Sequence, residues 1–376
     1  MDGMWIQRFP HTRTSLRNHS TRWKSANVKC PRLDGFRDLT ASDGRVTPCC
    51  VFDTSNGWKS SIYTGIDEPE WKSARDRLEE GWTQECYICE TNEKNGHESM
   101  RQSSIKDGIQ ISLDFTCNFM CRSCKPALSS KWDSHSHDED WTRFDSEHFY
   151  HEPKKKIHSE SVDRFLNFID LSSLKEIRIV GGEPFYSKKL LTFLQRLPKT
   201  SKICFNTNGS IFPEDKVLRE LDKFDEVQMD LSIDAVGELA ECIRYGTDWN
   251  EVEKNIARHI EYWNRVFIFS TVSVMNVNKM NEVYDFAGGD EYHGGRSRMN
   301  PLYDPSFLKL EQIPIVHRKK WGIKELTGNG DFNNIIWSNQ QVKNEHEKTR
   351  DFLMTCDKYQ GWKFSKVNPE IWELLQ

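Results

Sequence analysis

The chain has 376 residues, 36% hydrophobic and 29% charged, with a formal net charge of -5. Thirteen Trp and 21 Phe supply core material for one large domain or two ordinary ones, which excludes a disordered polymer. The opening 20 residues hold no apolar signal segment, and the only short basic run is "KKK" at 154–156. The longest apolar run, near "RVFIFSTVSVM", is too short to span a bilayer, so the reading is a cytoplasmic protein with no membrane or nucleic-acid partner.

In chain order, residues 1–105 show little periodicity beyond one helix over "EPEWKSARDRLEEGW", closing near Gly81. This stretch holds Cys30, Cys49, Cys50, Cys86 and Cys89, five of the eleven cysteines. A reducing compartment keeps thiols free, so clustered cysteines in a fold short of regular structure point to a metal or iron–sulfur staple. From residue 109 the texture changes. "GIQISLDF", "KEIRIVGGEPF", "KICFNTNGS", "EVQMDLSIDA" and "VFIFSTVSVMNV" read as strands. Between and after them "SVDRFLNFIDL", "KKLLTFLQRLP", "EDKVLRELDKF", "WNEVEKNIARHIEYWN" and "NKMNEVYDFAGG" read as helices. This alternation predicts an α/β fold with a parallel barrel of about six βα units between 109 and 305. Polar and Gly-rich residues collect just after the strands, where such a barrel carries its chemistry. Residues 128–158 read as a polar surface loop or lid whose histidines are solvated rather than ligating. Residues 306–376 read as a tail packing on the barrel, with "NPEIWELLQ" as a last amphipathic turn. The expected organisation is therefore 1–105, 106–305 and 306–376.

One motif sets the chemistry. "DFTCNFMCRSCKP" places Cys117, Cys121 and Cys124 at spacing C-x3-C-x2-C. A tetrahedral zinc wants four protein ligands, so a zinc loop would need a distant Cys or His to complete it. A [4Fe–4S] cubane held by three thiolates instead leaves one iron open to a substrate or cofactor.

The loop resembles that of the radical SAM superfamily, and the following strands agree in order. The resemblance implies a partial (β/α)6 TIM-like barrel whose [4Fe–4S] cluster binds S-adenosylmethionine (SAM). "GGEP", Gly181, Gly182, Glu183 and Pro184, is similar to the family's motif for the methionyl amino group. "NTNGS", with Asn206 and Asn208, resembles the strand end bordering the cofactor, and "SID", with Ser232 and Asp234, the strand that meets its ribose. Arg244 in "IRYG" stands where the family often has an arginine for the methionyl carboxylate.

The earlier cysteines form a second constellation. Cys30, thirteen residues, Gly44, four residues and Cys49, then Cys86-x2-Cys89, resemble the SPASM/Twitch extension of radical SAM enzymes. Here it precedes the barrel instead of following it. The shorter Twitch form implies one auxiliary [4Fe–4S] cluster on Cys30, Cys49, Cys86 and Cys89. Cys50 rivals Cys49, Cys356 could replace one ligand, and a structural zinc suits the same spacing. Glu93, Gly96, Ser99 and Arg101 lie in the link to the first strand, either ordering it or facing substrate. Cys204 and Cys242 read as buried thiols.

The function expected from the resemblance is reductive cleavage of SAM to a 5′-deoxyadenosyl radical and hydrogen abstraction from a substrate carbon. An oxidative modification of a small molecule or peptide is the leading reaction, with a flavodoxin- or ferredoxin-type electron donor. A redox-neutral epimerase and a non-catalytic iron–sulfur protein are the other readings. Tyr186, Tyr245 and Asp114 lie near the cofactor motifs, but no residue is assigned to quench the substrate radical.

Overall fold

The computed structural model describes residues 28–39, 44–50, 52–94, 99, 101, 107–135, 138–141, 143–144, 162, 166–167, 169–289, 296–323, 336–337 and 342–376. Of the helix expected over 161–171 only 162, 166–167 and 169–171 are among them, and most of the histidine-bearing stretch up to 158 lies outside them. The chain divides into two compact units, residues 1–111 with 154–176, and residues 112–153 with 177–376. The tail from 306 thus belongs to the same unit as most of the barrel strands. Seven mostly parallel strands alternate with helices, which makes the fold α/β.

In the first unit, β1 (Phe36–Leu39) pairs in parallel with β2 (Gly108–Ser112), from Phe36 opposite Gly108 to Leu39 opposite Ile111. β1 was not expected in a stretch that reads as loop. Helix α1 (Glu68–Glu80) begins where Asp67 accepts from the N–H of Glu70 at 3.0 Å, with Pro69 in its first turn. It buries Trp71, Ala74 and Leu78, at i, i+3 and i+7. A short helix, α2 (Tyr87–Lys94), carries Cys89.

In the second unit the strand order is β4 (Glu176–Val180), β5 (Lys202–Thr207), β6 (Glu226–Ser232), β8 (Arg265–Val272) and β9 (Ser297–Pro301). The pairs β5–β6, β6–β8 and β8–β9 are parallel. Ile177, Ile179, Ile203, Phe205, Met229, Leu231 and Ile268 are fully buried. Helices α3 (Leu190–Arg196), α4 (Asp215–Leu221), α5 (Gly237–Ile243), α6 (Trp249–Tyr262) and α7 (Met280–Phe286) supply further buried apolar faces, as parallel strands require. Two short strands, β3 (Met120–Cys121) and β7 (Arg244–Tyr245), pair antiparallel outside this sheet. Near the end of the chain, α8 (His346–Gln360) stops at Gly361 in the left-handed conformation, φ 73°.

The polar segment after 128 differs from its reading as a solvated loop. Trp132, Trp141 and Phe144 are at most 1% exposed. Trp141 packs on Phe352 and Tyr359 of α8 at 6.2 and 5.2 Å between ring centres. Asp140 accepts from Lys358 at 2.6 Å and from the Tyr359 hydroxyl at 3.1 Å. Burial of three large aromatics outweighs the polar text around them.

Candidate functional site

The three-cysteine loop is fixed by backbone and by neighbours far along the chain. Cys121 lies opposite Arg244 in the β3–β7 ladder, and the N–H of Arg122 donates to the carbonyl of Ile243 at 2.8 Å. The indole of Trp132 donates to the Cys121 carbonyl at 2.7 Å, and Ser129 Oγ to the Phe119 carbonyl at 2.9 Å. The N–H of Phe119 donates to Cys117 Sγ at 3.4 Å. Burial lifts all three thiols above the usual range, Cys124 to about 12.

The Gly-Gly turn lies directly against this loop. Gly181 and Gly182 have φ of 81° and 54°. A Cβ on Gly182 would sit 2.3 Å from the carbonyl oxygen of Thr116, and one on Gly181 would sit 2.1 Å from Ser112 Oγ. Only glycine permits this conformation and approach. The N–H of Glu183 donates to that same Thr116 carbonyl at 2.8 Å. Glu183 is 1% exposed, and Pro184 is buried in the turn that follows. Its Oε1 accepts from Thr207 Oγ1 at 2.8 Å and the N–H of Phe185 at 3.1 Å, and Oε2 from the N–H of Asn208 at 2.7 Å. Burial pushes its carboxyl up to about 6 against these three donors. Glu183 therefore braces the turn on the end of β5, and Oε2 keeps acceptor capacity for an ammonium group.

The β5 end grips the loop from the other side. Asn208 Nδ2 donates to Asn118 Oδ1 at 2.9 Å, and Asn118 Nδ2 donates to Ser210 Oγ at 2.9 Å. Asn206 lies within β5, opposite Asp230, and accepts from Arg178 Nη1 at 3.4 Å. Arg178 also pairs with Asp230, to which Cys204 donates at 3.2 Å. Ser232 closes β6, half-buried opposite Phe269. Arg244 is paired within the protein, donating through Nη1 to Asp234 Oδ2 at 2.9 Å, while Asp234 Oδ1 accepts from the N–H of Thr271 at 2.8 Å. The structure thus brings the cysteine loop together with Gly181, Gly182, Glu183, Asn208, Asp234 and Arg244.

Asp114 accepts from the N–H of Thr116 at 2.9 Å and from Ser187 Oγ at 2.5 Å, tying the loop's entry to the turn's exit. Tyr245 lies opposite Met120 under the ammonium of Lys131, and Tyr186 is exposed. Sequence reasoning missed Arg122. It is fully buried, and its guanidinium donates to Asp357 Oδ1 at 2.7 Å, Gln360 Oε1 at 3.0 Å and the Cys242 carbonyl at 2.9 Å. Gln360 in turn donates to the Met120 carbonyl at 3.0 Å. The one signal available was an arginine directly after Cys121.

In the first unit, Cys30, Cys49, Cys86 and Cys89 line one cavity together with Arg32 and Arg101. Cys50 is buried but does not line it. Cys356 lies in the second unit, buried beside Arg122 and Cys242. Gly44, at φ 78°, lies against Tyr63, since a Cβ there would sit 2.6 Å from its ring. Burial raises the Cys30, Cys49 and Cys86 thiols, and the neighbouring thiols add to the rise. Arg101 is anchored by Glu93, by the Lys29 carbonyl at 3.2 Å and by stacking over Trp82 at 5.1 Å. Ser99 Oγ donates to Glu93 at 2.5 Å. Glu93, Ser99 and Arg101 thus order the link, and Gly96 lies outside the described residues. Among the described residues no three His, Cys, Asp or Glu side chains are placed to hold a single metal ion.

Residues 111–287 match the family profile described as the radical SAM superfamily. Among curated relatives, GTP 3′,8-cyclase of Helicobacter pylori is 28% identical over 35% of this chain and 36% of its own length. That of Clostridium perfringens is 26% identical over 65% of this chain and 66% of its own length. The chain spans about a third of the first of these relatives. Among solved structures, native anSMEcpe with bound AdoMet is 16% identical, covering 70% of this chain and 62% of that one, at a TM-score of 0.38. Streptococcus suis SuiB bound to the precursor peptide SuiA is 14% identical over 62% and 45%, at 0.34. Likeness at that level carries no argument about substrate. The three cysteines set against a Gly-Gly-Glu turn at the strand ends fall inside the stretch, residues 111–287, that is similar to the radical SAM superfamily.

Proposed function

We propose that the protein is a radical SAM enzyme that modifies a substrate carbon by hydrogen abstraction. The observation that carries this is the packing of the Cys117–Cys124 loop on the Gly181–Glu183 turn, closed enough to exclude any side chain at Gly182. When bound, the cluster supplies one electron that splits SAM into methionine and a 5′-deoxyadenosyl radical, which takes a hydrogen atom from the substrate. The protein's own part is orientation and exclusion of water. Cys117, Cys121 and Cys124 would hold three irons. Glu183 would accept from the methionyl ammonium through Oε2. Arg244 would offer the methionyl carboxylate the guanidinium nitrogens that its bond to Asp234 leaves, and Asn206, Asn208, Ser232 and Asp234 would border the nucleoside.

The four-cysteine cavity supports an auxiliary [4Fe–4S] cluster of the Twitch kind, on Cys30, Cys49, Cys86 and Cys89. Two buried and two half-buried thiols beside two arginines suit a polyanionic occupant better than zinc. Such a cluster would take an electron from the substrate radical while a proton leaves, giving a net oxidation. The curated relatives are named for a reaction on GTP, so a small molecule is the first substrate class to offer, ahead of a peptide. A flavodoxin- or ferredoxin-type donor would supply the first electron, in the cytoplasm.

The test is anaerobic. Protein reconstituted with iron and sulfide is given SAM and dithionite, and 5′-deoxyadenosine is followed by chromatography. It forms with the native chain and is lost with Cys121→Ala. A fully loaded native protein that makes none, with or without GTP, refutes the radical reading.

A further inference from the structure

Arg101 stands out among the groups lining the four-cysteine cavity. Three contacts already fix its guanidinium: the Glu93 carboxylate, the Lys29 carbonyl and the face of Trp82. Glu93 is itself steadied by Ser99. One donor remains. The Nε–H of Arg101 is buried and has no hydrogen-bond partner among the described residues. A buried donor left unmade costs roughly 1–3 kcal/mol, and native proteins rarely carry that cost without use. The same cavity is lined by the thiols of Cys30, Cys49, Cys86 and Cys89 and by Glu85, whose Oε1 already accepts from Asn56 and Arg77.

Resting on the auxiliary-cluster reading above, we infer that Arg101 is a positioning residue that tunes that cluster. Its Nε–H donates to a sulfur of the group held by the four cysteines, and its charge favours the reduced, more negative state, raising the reduction potential. Hydrogen bonds to cluster sulfurs and nearby charge are recognised levers on such potentials. The Glu93, Ser99 and Trp82 contacts hold a fork that would otherwise swing freely. Arginine suits this better than lysine, since its charge is permanent and its donors are planar and fixed.

The experiment uses the full chain with Cys117→Ala, Cys121→Ala and Cys124→Ala, so that only one cluster remains to be seen. Iron and sulfide are counted, and the midpoint is read by potentiometry with EPR detection. In this background Arg101→Gln is expected to lower the reduced-to-oxidised ratio at fixed poise about tenfold, which is about 59 mV for one electron. Arg101→Lys, keeping charge but losing the Nε–H, is expected to fall between. If Arg101→Gln does not load, Arg101→Lys must still shift the midpoint downward. A loaded background whose midpoint ignores the substitutions overturns this inference alone. A background that holds no iron overturns the auxiliary-cluster reading and this inference with it.

Discussion

At Gly182 the cysteine loop and the turn that follows β4 come within contact, and the margin is a fraction of an ångström. An added methyl would meet the Thr116 carbonyl at 2.3 Å, in a backbone conformation that side chains avoid. Gly182→Ala is therefore expected to push the turn off the loop. Iron retention after desalting should fall several-fold, with a loss of about 1–3 kcal/mol in urea unfolding, as for other backbone strain. His259 shows a different residue-scale effect. It is fully buried on α6, with its ring 5.0 Å from that of Phe212, and burial lowers its pKa to about 4. The unfolded chain, at about 6.5, then binds a proton that the folded chain refuses between those values. Stability falls as pH drops through that window, by about 2 kcal/mol for this group at pH 5. His259→Phe should reduce the difference between urea midpoints at pH 7 and pH 5. An undiminished difference would show that other groups set the acid limit.

At the scale of elements, α8 acts as a clamp on the cysteine loop. Arg122 is wholly buried, and Asp357 gives it its charge partner while also accepting from the N–H of Phe364. Asp357→Ala leaves a buried cation unpaired, which typically costs about 3–5 kcal/mol. The expected outcome is a large drop in thermal midpoint together with loss of iron, and Asp357→Glu should recover part of both. This helix was not legible in the sequence. Its buried stripe includes Thr349, Cys356 and Gln360, and Glu345 offers no side-chain cap, so neither periodicity nor a start signal marks it. β9, "SRMNP", was missed for its polar residues and its proline. By contrast β4, β5, β6, β8 and the helices α3, α4 and α6 could be read directly, because their apolar residues alternate or recur at helical spacing, whereas α5 was not among the expected helices. The cysteines and the Gly-Gly-Glu turn were legible by spacing, whereas the pairing of Arg244 with Asp234 needed coordinates.

For the molecule as a whole, the two units carry separate cysteine sets, and each should load on its own. On the proposal of two cubanes of four irons, the reconstituted chain is expected to hold about eight irons. Replacing Cys30 and Cys89 by serine should leave about four and preserve 5′-deoxyadenosine formation. Replacing Cys117 and Cys124 should leave about four and abolish it. Eight irons after either change would dissociate these cysteines from the metal. Among the described residues no helix is long and apolar enough to cross a membrane.

Arg122 and Asp357 are 235 residues apart in the chain. A ribosome adding about 5–20 residues per second covers that gap in roughly ten to fifty seconds. Throughout that interval the nascent loop has its thiols but not its anchor. Iron delivered during that interval would meet an unfinished cradle, so the order of translation favours insertion after Asp357 has been made.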